Sequence, residues 1–147
     1  MTAYTENRTT DTSTNRPLFA ALGVGVAIVL TALGTFWDLT GNEPDSAQGW
    51  EEFLPVIGVI LVAAAIVFGL AVRPGPQAGT RAIVLAVLSV LSLVVFWSGL
   101  PAVLAAGSVA NAVAARGSDG ALTGLAKASV GISAVALALA VAAAIAG

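Results

Sequence analysis

Between Arg81 and Arg116 the chain carries no charged side chain. A Leu/Val-rich run, Ala82 to Trp97, breaks at Ser98-Gly99-Leu100-Pro101 and resumes as an Ala-rich run, Ala102 to Ala115. Stretches this apolar cannot all be hidden inside a small soluble domain, because the rest of the chain is apolar too. Of 147 residues, 58% are hydrophobic and 10% charged, against about 25% charged in an ordinary soluble domain. The apolar residues fall in runs near 20 long, about what a hydrocarbon core of ~30 Å requires of a helix rising 1.5 Å per residue. The expected fold class is all-α, a polytopic integral membrane helical bundle.

Residue types missing from the chain exclude much chemistry. There is no Cys and no His. Disulfides, thiolate catalysis, Cys/His zinc sites and the usual haem ligation are absent with them, as is the side chain that most often moves protons near neutral pH. No phosphate-binding Gly-Lys-Ser/Thr loop is present, and no Ser or Thr has a His to activate it. No catalytic, cofactor-binding or metal-binding residues are expected, and the chain reads as a non-enzyme. A net charge of −2 without a basic patch speaks against nucleic acid.

In chain order, residues 1–16 are polar and Thr-rich and read as a disordered cytoplasmic tail. Residues 17–147 then form one membrane domain. Its first segment, 18–37, opens at Pro17, and Gly23 and Ala27 offer a small-residue face for a close neighbour. A tail followed by an apolar run also has the outline of a secretory signal. The run is long for one and ends on Phe36-Trp37, so an uncleaved helix is expected. The loop Asp38 to Glu52 holds Asp38, Glu43, Asp45, Glu51 and Glu52 with no basic residue. Its spacing matches no EF-hand, and a solvated external loop between interface anchors Trp37 and Trp50 is expected. Segment two, 53–72, has Pro55 in its first turn. The short turn from Arg73 to Arg81 places arginines on the inside, by the rule that short Arg/Lys-rich loops face the cytoplasm.

Two topologies compete beyond Arg81. In one, segment three, 82–98, turns back at Gly99-Leu100-Pro101 into a short fourth segment, 101–115. A last segment, 121–146, then completes four full spans plus a short fifth. In the other, the third helix runs on through Pro101 as one long kinked rod, leaving four spans. Charge favours the first reading, because it keeps Arg116 and Lys127 on the cytoplasmic side with the other basic residues. A continuous rod would also be ~50 Å long. The short segment is then an arm covered by its neighbours, the only setting in which backbone ends are tolerated at membrane depth.

The last two segments carry small residues at helical spacing. These are Ala106, Ala110 and Ala114 in one, with Gly124, Ala128, Ala136, Ala140 and Ala144 in the other. The two are expected to pack face to face, with the Leu-rich third segment against lipid. Internal polar candidates are few. Asn111 is read as a packing hydrogen bond or cap, with ligand or partner contact as the alternative. Asp38 and Lys127 are read as interface anchors. A pore lined by Ser89, Ser92, Ser129 and Ser133 is conceivable.

From Arg81 to Gly147 the chain resembles the small bacterial membrane domain DUF4190. The parts that carry the likeness are Leu88-Ser89-Val90-Leu91, the break Gly99-Leu100-Pro101, the arm Ala106-Gly107 to Arg116, then Gly120, Gly124-Leu125-Ala126-Lys127-Ala128 and Gly131. The arm has one Arg where that family often has several. The resemblance implies an apolar helix, a Gly/Pro break, a Gly- and Ala-rich arm ending in basic residues and a Gly-rich turn into a second apolar helix, and no known reaction. The Ala/Val/Gly-rich runs and the Thr-rich tail are also similar to many actinobacterial multi-pass membrane proteins. The functional expectation is a small multi-pass protein of the cell membrane with a cytoplasmic N-terminus. Its partners are the lipid bilayer and either another membrane protein or a homo-oligomer, and its role is that of an accessory or structural subunit. The alternative is a small oligomeric channel or transporter.

Overall fold

A computed structural model describes residues 12–36 and 46–146 of the chain. The described residues form five α-helices: α1 Thr12–Phe36, α2 Ser46–Ile66, α3 Ala78–Leu91, α4 Leu100–Ala114 and α5 Gly124–Ala146. A π-helical turn, Val67–Ala71, ends α2, and a 3-10 stretch, Ser92–Ser98, extends α3. The described residues form no strand beyond one isolated antiparallel bridge, Arg116 with Leu122. Among the described residues four helical runs are long and apolar enough to cross a membrane: Arg16–Leu33, Trp50–Ala71, Ala78–Val95 and Gly124–Ala146. Leu100–Ala114 is a shorter apolar helix.

Each of the four runs buries only 22–28% of its residues inside the protein. Large apolar side chains point outward along their length, among them Leu54 at 62%, Leu91 at 63% and Val94 at 80% exposed. Water would penalise such a surface by about 25 cal/mol per Å², and soluble monomers rarely expose contiguous apolar patches beyond a few hundred Å². The architecture is that of a polytopic helical membrane protein, whose outward faces are apolar enough to meet lipid.

The short helix is the axis of the bundle. α4 packs against α1, α2, α3 and α5, and nine of its fifteen residues are buried. Its small side chains are the cause. Ala102, Ala105, Gly107, Ser108, Ala110 and Ala112 are all buried and let four backbones approach at once. In lipid, where apolar burial alone does not drive helix association, such close contact supplies much of the cohesion.

The chain doubles back between α3 and α4, which excludes the long kinked rod. Gly99, at φ 66° and ψ 0°, caps α4 in the left-handed region, and Pro101 follows in the first turn. Glycine enters that region without the penalty of about 1–2 kcal/mol that an L side chain meets there. A first-turn proline removes only an N–H that has no helical partner. The hydroxyl of Ser89 donates to the carbonyl of Pro101 at 2.8 Å, and that of Ser108 to the carbonyl of Ala82 at 2.8 Å. The two bonds lie seven residues apart on each helix, as an antiparallel pair requires. A Cβ on Gly99 would meet Ala27 and Ile60, which lie near the middles of α1 and α2. So α4 begins at mid-depth and, at about 22 Å, does not cross a ~30 Å core.

Several boundaries differ from the sequence reading. Thr12 to Arg16, expected in the tail, belong to α1, so Pro17 sits inside the helix; residues 1–11 lie outside the described residues. Ser46 to Glu52, expected as loop, form the start of α2, and Pro55 is therefore well inside it. Its missing N–H leaves the Glu51 carbonyl free, at a helix end where Glu51 and Glu52 are both exposed. Ala121 to Thr123, expected as helix, instead pair back toward Arg116, with Gly117 N–H donating to Ala121 at 2.8 Å. Asp38, Glu43, Asp45 and Trp37 lie outside the described residues, as does the side chain of Trp97.

Candidate functional site

The two ends of the bundle differ in chemistry. At one end stand Arg16 on α1, Arg73 and Arg81 flanking the α2–α3 turn, Arg116 after α4 and Lys127 at the start of α5. Asp119 is the only carboxylate there among the described residues. At the other end Phe36, Trp50 and Phe53 cluster with ring centroids 5.1–5.7 Å apart, beside Glu51 and Glu52. Aromatic rings gather where a bilayer meets water, and these three tie the end of α1 to the start of α2.

At the arginine end, side chains from other helices complete the C-terminus of α2. Arg16 donates to the carbonyls of Phe68 and, at 3.1 Å, Gly69. The Asn111 side-chain N–H donates to the Ala71 carbonyl at 3.2 Å. Helix ends leave carbonyls without intrahelical donors, and the π turn makes its own closure, Val72 N–H to the Val67 carbonyl at 2.8 Å. Asn111 therefore makes the packing hydrogen bond expected of it, while its Oδ1 is buried without a partner. Nothing in the pattern of apolar runs pointed to Arg16, which read as one of several tail charges.

The serines are not gathered round a channel. Ser89, Ser129 and Ser133 are buried within the chain. Ser89 is spent on Pro101, Ser129 on the carbonyl of Ala126 at 2.9 Å, and Ser92 on the carbonyl of Ser89 at 2.8 Å. In that placement Ser89, Ser129 and Ser133 do not stand on the outer surface where a second copy would meet them. Ser108 escaped the sequence reading, because its acceptor is a backbone carbonyl, that of Ala82, which no side-chain pattern marks.

Ser133 lies at the floor of an apolar groove of about 290 Å³ between α1 and α5, with α4 as its base. Phe19, Leu22 and Val26 form one wall, Val130, Ala134 and Leu137 the other. The Ser133 hydroxyl has no hydrogen-bond partner. Small residues meet where the sequence placed them on α1: a Cβ on Gly23 would stand 2.6 Å from the Ala106 Cβ. On α5 the expectation divides. Ala136 and Ala140 are buried in the bundle, with Ala126, Ser129 and Ser133 continuing the same face, whereas Gly124 and Ala128 are exposed on the opposite side. The period of 3.6 separates these two sets, although both have the i, i+4 spacing. Lys127 is exposed near the start of α5, consistent with an interface anchor. No three carboxylates converge as a metal site among the described residues. No family model matches the chain, and neither a curated protein nor a solved structure resembles it significantly.

Proposed function

We propose that the chain is a non-enzymatic subunit of the cell membrane, inserted with its N-terminus in the cytoplasm, that works by packing its helices against a membrane partner or a second copy. The observation that carries this reading is the outward face of α5. Ala128, Gly131, Val135, Ala138 and Ala142 are exposed in one line, and a Cβ on Gly131 would touch nothing within 4 Å. The bundle's own packing uses the other side of the helix, so this smooth face remains available for close approach by another helix. The cytoplasmic assignment rests on the arginine end and the positive-inside rule. The absence of His and Cys from the sequence and the internal pairing of most buried hydroxyls support a role without chemistry.

Crosslinking of the full chain in native membranes tests the proposal. A crosslinked adduct is expected, and Gly131→Leu should reduce it severalfold by filling the outward face along which the partner helix lies. Recovery of monomer alone, or an adduct indifferent to Gly131→Leu, contradicts it.

A further inference from the structure

The turn before α3, the end of α4 and the start of α5 enclose a cleft of about 550 Å³ at the arginine end, within the ~300–1,000 Å³ range of small-molecule sites. Its lining includes Gly79, Thr80, Arg116, Thr123, Gly124 and Leu125, and no carboxylate among the described residues. Arg116 is held there by its backbone. It bridges to Leu122, and the loop behind it is closed by Gly117 N–H to Ala121 at 2.8 Å and Gly120 N–H to Gly117 at 2.9 Å. The carboxylate nearest to it in sequence, Asp119, is turned onto its own loop and accepts from the Ala121 N–H at 3.0 Å. Arg116, exposed, therefore lines a cleft that holds no carboxylate among its described lining residues.

We propose that this cleft binds an anionic phosphate group through Arg116, the natural source being the headgroup of an anionic phospholipid. A guanidinium offers phosphate a planar, bidentate set of donors. The other four cations of this end add a field that draws anionic lipid to it. Beside the cleft, Leu125 is 53% exposed and provides an apolar flank along which an acyl chain runs. Gly79, Thr80, Gly124 and Leu125 stand in first helical turns, where N–H groups lack helical acceptors, and they complete the wall without opposing charge. The lipid source rests on the membrane reading above; the phosphate chemistry does not.

The test is the rate at which phenylglyoxal modifies Arg116 in the full chain, mapped by peptide mass spectrometry. Arg73, exposed and outside the lining of the cleft, serves as the internal reference. The chain is reconstituted in vesicles of phosphatidylglycerol, of phosphatidylcholine, and of phosphatidylcholine with excess inorganic phosphate. Phosphatidylglycerol is expected to slow modification of Arg116 about fivefold more than that of Arg73, the factor equivalent to ~1 kcal/mol. Selective slowing by inorganic phosphate as well would support the site and assign it to the free ion. Equal slowing of Arg116 and Arg73, or no slowing of Arg116 under any condition, overturns the proposal. A chain that stays in aqueous buffer and never enters the vesicles would instead refute the membrane reading, and the inorganic phosphate arm would still report on the cleft.

Discussion

Gly99 has two separate reasons to be glycine, and they can be measured apart. Its φ of 66° lies in the left-handed region, and a Cβ there would stand 2.9 Å from both the Ala27 Cβ and the Ile60 Cδ1. Ile60 can rotate away; a methyl on the backbone of α1 cannot. Gly120 shares the positive φ, at 75°, but has open space around it. Gly120→Ala should therefore lose about 1–2 kcal/mol from backbone strain alone, and Gly99→Ala clearly more, in reversible unfolding from mixed detergent micelles. Equal losses would mean that the hairpin turn is not packed against α1 and α2. Gly23 and Gly25 form a second matched pair on one helix. Gly23→Ala drives a methyl into Ala106 and should cost about 1–3 kcal/mol. Gly25, with nothing within 4 Å, should accept alanine without loss in the same assay.

The hairpin of α3 and α4 is where local sequence and tertiary packing agree most closely. Gly99 and Pro101 were legible as a break, and counting arginines decided in favour of a turn over a rod. What the runs could not disclose was how deep the turn lies, because depth is set by contacts with Ala27 and Ile60 on helices distant in sequence. Likewise Asn111 could be singled out as a buried polar residue, but its acceptor, the Ala71 carbonyl, is exposed by a π turn that no composition signal announces. The start of α2 was missed for a plainer reason. Ser46 to Glu52 are polar and read as loop, yet a helix can extend past the apolar core into the interfacial layer, where water satisfies its backbone. Ser89 and Ser108 are the polar fasteners of the hairpin. Hydrogen bonds between membrane helices average about 0.6 kcal/mol and reach about 1.7. Ser89→Ala and Ser108→Ala should each lose an amount in that range. The two bonds join different atoms two turns apart, so the double variant should lose close to the sum. No loss in either variant would place α3 and α4 in another register.

For the molecule as a whole, the decisive features are the apolar outer surface and the separation of charge between its ends. An arm that stops at mid-depth still reverses the chain. α1 therefore starts at the arginine end, while α5 ends at the aromatic one. The continuous rod would have brought both termini to one side. With no native cysteine, single cysteines report sidedness without background. Ser118→Cys sits in the loop between α4 and α5, Ala146→Cys at the far end of α5. The decisive measurement is labelling of these two variants in intact cells by a maleimide that cannot cross the membrane. Ala146→Cys should react at once and Ser118→Cys only after the membrane is opened; reaction of both from the same side would contradict a five-helix bundle set across a bilayer with its arginines in the cytoplasm.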